Sequence, residues 1–161
     1  ERGAKIYGEI VGFGSSTVIS PDFTPHFSQA LSNVINQALN TTEMTPDEIG
    51  HVNAHGISKI ETDRCEAEAI KATFGNEKPV AALKSYTGNM GAGSGAVELI
   101  SSLVALEKGT LFRTLNYETP DPECDINVTN GNDVPAGDSF INLSVTPQGQ
   151  ASAVVVKSYS G

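Results

Sequence analysis

The sequence predicts an α/β fold, a mixed sheet covered by helices, on three observations. Runs rich in Ile, Val, Phe and Tyr alternate with stretches of helical periodicity. The breaks between them fall on Gly, Pro, Asn and Asp, and the chain closes with two strand-like runs joined by a tight turn. With 161 residues the chain is long enough to bury roughly 70% of the surface its unfolded form exposes, so one core and one domain spanning 1–161 are expected.

In chain order, Ala4 to Gly14 reads as a strand ending in Gly-Ser-Ser. From Phe27, Leu31, Val34, Ile35, Ala38 and Leu39 recur at helical spacing, behind the start signal Thr24-Pro25. Thr45-Pro46-Asp47-Glu48 carries a cap, a proline and two acids, the pattern of a short helical turn, before the buried-looking run Ile49 to Ala54. A helix fits Asp63 to Phe74, with Gly75 as its stop, and Val80 to Leu83 makes a short strand. The glycine-rich turn Thr87 to Gly95 feeds a second amphipathic stretch, whose apolar positions Val97, Ile100, Leu103, Val104 and Leu106 predict a buried helix face. Thr119 to Gly137 is rich in Pro, Asn, Asp and Gly and reads as loop. Ser139–Val145 and Ala151–Tyr159 complete the chain as antiparallel strands across the turn Pro147-Gln148-Gly149.

Ten Lys and Arg against nineteen Asp and Glu give a formal charge of −9, which argues against a phosphate-tracking nucleic-acid surface and against an anionic membrane. No run reaches the roughly 20 apolar residues of a membrane span, and a signal peptide is not evident, so a cytoplasmic protein is expected. Cys65 and Cys124 are too few for a disulfide framework and too far apart for a zinc knuckle, and are read as reduced. The opening Glu1-Arg2-Gly3 runs straight into strand-like sequence, as in a piece of a longer chain.

Candidate chemistry sits in three places. Val52-Asn53-Ala54-His55-Gly56 puts a histidine at the end of a strand, where its ring can donate to a developing oxyanion or move a proton. Taken alone, such a histidine is more often a satisfied structural residue. Lys84-Ser85-Tyr86-Thr87-Gly88-Asn89 offers a fixed positive charge beside a polar amide, or else a surface lysine and a turn asparagine. Gly91, Gly93 and Gly95 lack both the dinucleotide fingerprint and the Gly-Lys-Ser/Thr ending of a phosphate loop. Asp63 and Glu66 on one helix, and Glu98 on another, are carboxylates that could orient a buried lysine, or form a solvated helix face.

In combination, Val-Asn-Ala-His-Gly at 52–56, Asp63-x-x-Glu66, Lys84-Ser85 with Thr87-Gly88, Gly95-Ala96-Val97-Glu98 and Pro120-Asp121-Pro122-Glu123-Cys124 resemble, in order, the β-ketoacyl-acyl-carrier-protein synthase family. The likeness runs from Arg2-Gly3-Ala4-Lys5-Ile6-Tyr7 to about Asn127. It implies the second of the two similar halves of a thiolase-type αβαβα sandwich. The reaction it implies is a decarboxylative Claisen condensation of acyl and malonyl thioesters, in fatty acid or polyketide synthesis. No cofactor is implied beyond the phosphopantetheine arm of an acyl carrier protein, which is the implied partner, together with the half that holds the nucleophilic cysteine. A homodimer or heterodimer of the parent is also implied.

By the same resemblance His55 stabilises the enolate oxygen, Lys84 supports it with Glu98, Asp63 or Glu66 as its partners, and Asn89 stands where elongating enzymes have a second histidine. The amide of Asn89 can still donate a hydrogen bond. Ile57 and Lys59 occupy positions where the family places two threonines against the pantetheine arm, and Thr87 is a third candidate for substrate contact. Val145-Thr146-Pro147-Gln148-Gly149-Gln150 replaces the family's glycine- and phenylalanine-rich loop. Neither cysteine matches the nucleophile: Cys65 lies within a helix and Cys124 in the Pro-Asp-Pro-Glu-Cys loop. The implied function is therefore a condensing enzyme's carboxy-terminal domain, inactive alone, or alternatively a non-elongating relative, either a chain-length-factor-like partner or a decarboxylase.

Overall fold

The first strand forms later than expected. In a computed structural model that describes residues 2–159, β1 spans Glu9–Thr17 rather than Ala4–Gly14, and residues 4–8 run outside the sheet. Gly12 and Gly14 decide the placement. A Cβ on either would come within 2.3 Å of the Ala38 carbonyl oxygen or 2.4 Å of the Val34 carbonyl oxygen, so only glycine lets helix α1 (Phe27–Asn40) lie this close to β1. Thr45 and Glu48 form the expected capping box around the 3-10 turn Pro46–Glu48.

The remaining elements are β2 (His51–Asn53), α2 (Ile60–Phe74), β3 (Pro79–Ala81), α3 (Lys84–Thr87), a 3-10 turn at Gly91–Gly93, α4 (Ser94–Lys108), β4 (Asn127–Val128), β5 (Ser139–Val145) and β6 (Gln150–Lys157). Several differ from the sequence reading: β2 and β3 are three-residue strands where Ile49–Ala54 and Val80–Leu83 are expected, and Leu83 caps α3 instead. Helix α2 begins three residues before Asp63, because Lys59 and Ile60 enter the helix directly from the loop. The single turn α3 and the two-residue β4 are too short to leave a periodic signal.

The sheet order is β1-β6-β5-β2-β3-β4. Strands β1, β6 and β5 are antiparallel neighbours, whereas β5, β2, β3 and β4 run parallel. Because side chains alternate along a strand, the two sheet faces carry different residues. Val52 and Ala54, with Ile141, Leu143, Val145, Ala151, Ala153 and Val155, join Leu31, Val34, Ile35 and Ala38 of α1 and Ile70 of α2 in one apolar core. Each large side chain buried there contributes about 1.5–3 kcal/mol.

The opposite face carries His51, Asn53, Phe140 and Asn142, where His51 pairs with Phe140 and Asn53 with Asn142 in register, and α4 packs against it. Here the expectation of a buried apolar face on α4 is wrong. The residues it buries are Ser94, Glu98, Ser102 and Ala105, while Val97, Ile100 and Val104 are exposed, Ile100 by 56%. The polar groups presented by β2 and β5 require polar partners, so the helix turns its hydroxyl and carboxyl groups inward. No helix among the described residues is long and apolar enough to cross a membrane.

Candidate active site

The site is built where the parallel strand β2 ends. Ala54 donates its N–H to the Ala81 carbonyl, and the chain then turns at Gly56, whose φ is +46, and at Ser58, whose φ is +62. Two carboxylates of α2 hold this turn. Glu66 accepts the N–H groups of His55 (2.7 Å) and Gly56 (2.9 Å), and Asp63 accepts that of Ile57 (3.1 Å). The sequence reading allowed either acid to pair with Lys84. Both are instead committed to backbone N–H groups that a sharp turn leaves without a ladder partner. Burial pushes the Glu66 carboxyl up to about 7 against those hydrogen bonds, and burial likewise raises the Asp63 carboxyl.

Lys84, at the start of α3, reaches under the turn. Its ammonium is an ion-pair partner of the Glu98 carboxylate on α4, and both side chains are almost fully buried. It also donates to the His55 carbonyl at 2.7 Å and lies 3.2 Å from His55 Nδ1. An ammonium has three protons and no lone pair, so Nδ1 can only accept. The ring proton of neutral His55 is therefore on Nε2. Burial first, and the Lys84 charge second, push the His55 imidazole down to about 4, which keeps it neutral at physiological pH. For Glu98, burial raises the carboxyl and the Lys84 ammonium opposes that rise.

His55 and Asn89 share the lining of a cleft of about 620 Å³ with Ile57, Gly91, Leu99 and Asn142, under the β5–β6 hairpin tip Thr146-Pro147-Gln148. Asn89 Oδ1 accepts from the Gly91 N–H (3.0 Å) and from Ser94 Oγ (3.2 Å), so its oxygen is engaged and its Nδ2 group is the end left to donate. Two neutral N–H donors, one imidazole and one amide, thus border one cleft, an arrangement suited to an oxygen that gains negative charge. The tip is closed by the Thr146 N–H, which donates to the Gln150 carbonyl, and by Gly149, whose φ is +85°.

Of the other expected contacts, Ile57 lines the cleft, whereas Lys59 and Thr87 do not. Lys59 is exposed beside Glu61 and over the Phe27 ring, and Thr87 Oγ1 donates to the neighbouring Gly88 carbonyl. A second cavity of about 550 Å³ lies beyond Lys84, bounded by Glu66, Asp63 and residues 114–128. Cys65 and Cys124 are free thiols, both pushed up chiefly by burial, which makes them poor nucleophiles.

No group of three or more His, Cys, Asp or Glu among the described residues is arranged for a metal ion. Asn53 Oδ1, Glu98 Oε2 and Asn142 Oδ1 are buried without a hydrogen bond among the described residues.

The sequence reading missed His51 and Ser102. Both are wholly buried, with His51 Nδ1 at 2.7 Å from the Ala136 carbonyl and Nε2 at 3.0 Å from Ser102 Oγ. Burial pushes the His51 imidazole down to about 4. The signal that finds it is strand alternation: a strand over residues 49–54 puts His51 and Asn53 on one face.

Comparison with known proteins identifies the fold and the family. A 3-oxoacyl-[acyl-carrier-protein] synthase 2 from Synechocystis is 35% identical over 139 residues, covering 81% of this chain and 32% of that protein. Among solved structures, one described as the ishigamide ketosynthase/chain length factor superposes with a TM-score of 0.91 at 26% identity, over 99% of this chain and 40% of that one. A type II PKS acyl-carrier protein in complex with its ketosynthase gives 0.90 at 30% identity, again over 99% and 40%. The chain spans about a third of the length of the curated relatives it matches, 32% and 31% for the first two. Residues 7–118 match the family described as beta-ketoacyl synthase, C-terminal domain. With its mixed sheet, its helical layers and its ketosynthase neighbours, the chain has the thiolase-like fold and belongs to the β-ketoacyl synthase C-terminal domain family.

Proposed function

We propose that residues 1–161 form the carboxy-terminal domain of a condensing acyltransferase that joins acyl and malonyl thioesters by decarboxylative Claisen chemistry. The observation that carries this reading is the Lys84 Nζ contact to His55 Nδ1, because it fixes His55 as a neutral Nε2–H donor beside the cleft it shares with Asn89. When the malonyl group loses carbon dioxide, negative charge moves onto the thioester oxygen. His55 Nε2–H and Asn89 Nδ2–H are the donors for that oxygen, and Glu98 holds Lys84 in place. Asp63 and Glu66 support the turn that carries His55.

The nucleophilic cysteine is supplied by the other half of the parent chain. That half also covers the exposed apolar residues Val97, Ile100 and Val104 of α4. The thioesters arrive on the phosphopantetheine arm of an acyl carrier protein, with Ile57 against the arm and Lys59 and Thr87 further out. The parent is a homodimer or heterodimer, works without a metal or redox cofactor, and engages neither nucleic acid nor membrane.

A second reading is favoured by one feature: the tip Thr146-Pro147-Gln148 lines the cleft with a proline that has no N–H to offer an oxyanion. On that reading the parent is a decarboxylase or a chain-length-factor-like partner that does not elongate. Carbon dioxide release from malonyl-carrier by the complete protein separates the two. Activity in which Asn89→Ala costs about 10²-fold or more, and Asn89→His retains much of the rate, supports the first reading. A ready wild-type rate that Asn89→Ala leaves intact removes Asn89 from the mechanism. The 1–161 chain alone yields no β-ketoacyl product, and detection of any would contradict its lack of a nucleophile.

A further inference from the structure

Residues wholly inside the protein connect the far end of β2 to the cluster around Lys84. The Ala136 carbonyl can only accept, so His51 Nδ1, at 2.7 Å, carries the ring proton. Neutral His51 then has its lone pair on Nε2, which takes the hydroxyl proton of Ser102 at 3.0 Å. With its proton directed to His51, Ser102 Oγ is left as an acceptor for Asn53 Nδ2 at 2.8 Å. The same Asn53 nitrogen donates to the Glu98 backbone carbonyl at 2.8 Å, with Ser101 Oγ nearby at 3.3 Å. The Ala136 carbonyl therefore sets the His51 tautomer and, through it, the direction of the Ser102 proton. The ring itself is held flat against Phe140, with centroids 5.3 Å apart and planes inclined by 21°.

We infer that His51 is a positioning residue: through Ser102 and Asn53 it sets the height of α4, and so the seat of Glu98 on Lys84 and of Lys84 on His55. This rests on the function proposed above. His51 itself touches neither the cleft nor the charged pair. Its effect is transmitted because Glu98 presents its backbone carbonyl to Asn53 and its carboxylate to Lys84 from the same residue. A ring that donated from Nε2 would send Ser102's proton elsewhere, and the nearest acceptor in a helix is the carbonyl four residues back, that of Glu98, which Asn53 already holds.

The test uses His51→Phe, which keeps the stack on Phe140 and loses both polar bonds. Ser102→Ala removes the middle of the series without disturbing either strand. His51→Gln restores one donor and one acceptor. In the complete protein, His51→Phe and Ser102→Ala are expected to lower kcat for malonyl-carrier decarboxylation by about 10- to 100-fold, the scale of a small misplacement of the reacting groups. KM for the carrier should stay unchanged, the ¹⁵N signals of the His55 ring should shift, and His51→Gln should recover most of the loss. The double variant should be no worse than either single one. A lower melting temperature with wild-type kcat and unshifted His55 signals would make His51 a merely structural residue and overturn the inference. If wild type releases no carbon dioxide, the functional reading fails, and the His55 signals still decide the role of His51. If His51→Phe does not fold, the kcat and His55 signals of Ser102→Ala decide between the same two outcomes.

Discussion

The two faces of the sheet follow opposite rules. Helix α1 turns Leu31, Val34, Ile35 and Ala38 inward onto an apolar strand face, whereas α4 turns Ser94, Glu98 and Ser102 inward and leaves Val97, Ile100 and Val104 outside. One face contributes stability through burial. The other gives up part of that stability to hold Lys84, Glu98, His51, Asn53 and His55 in fixed hydrogen-bonded positions. The lesson is that an amphipathic helix faces the core with whichever side the sheet can satisfy, and a sheet face lined by histidine and asparagine selects the polar side.

Breaking the polar face should have the largest effect. Lys84→Met leaves the Glu98 carboxylate buried without its cation, and should cost about 3–5 kcal/mol in urea unfolding. The same change removes the positive charge beside His55, so the histidine's titration midpoint should rise. On the apolar face, Leu31→Ala opens a cavity beneath β1 and should cost about 2–5 kcal/mol without moving that midpoint.

Acid distinguishes the faces next. His51 and His55 are held near 4 in the folded chain, below their ordinary 6.5, so the unfolded chain binds more protons between those values. Their contribution is complete above about pH 6.5 and lost as pH falls toward 4, with a scale of roughly 3 kcal/mol for each from about 1.4 kcal/mol per pH unit. Glu66 has the opposite sign. Its folded carboxyl is raised to about 7 from 4.5, so its contribution is present below 4.5 and fades as pH rises through 7. Unfolding free energy measured from pH 4 to 8 should therefore rise and then flatten or dip, and Leu31→Ala should keep that shape while Lys84→Met alters it.

The smallest effect is expected at Ile100→Ser in the isolated chain, within about 0.5 kcal/mol because the side chain is already in water. In the complete protein the same substitution should cost more than about 1 kcal/mol if the other half covers α4. Equal, small values in both would leave that face without a partner.

What the sequence revealed follows the same division. The α1 side was legible because its apolar positions recur at helical spacing and all face the core. His55, Asn89, Lys84 and Glu98 were legible as motif positions, and the structure brings the first two to one cleft and the last two to one ion pair. The partners of Asp63 and Glu66 were not legible, since nothing in a carboxylate's spacing tells a lysine from a row of turn N–H groups. The orientation of α4 was misread because hydrophobic periodicity names the apolar face without saying what lies opposite it. The single turn α3 and the strand β4 are fixed by tertiary contacts and leave no periodic trace.

Whether the polar face makes His55 a neutral Nε2–H donor can be read from ¹⁵N-histidine NMR across pH. The His55 ring should show the Nε2–H tautomer at neutral pH and stay uncharged down to a midpoint of about 4. A ring protonated on Nδ1, or one titrating at the ordinary value of about 6.5, would contradict that assignment.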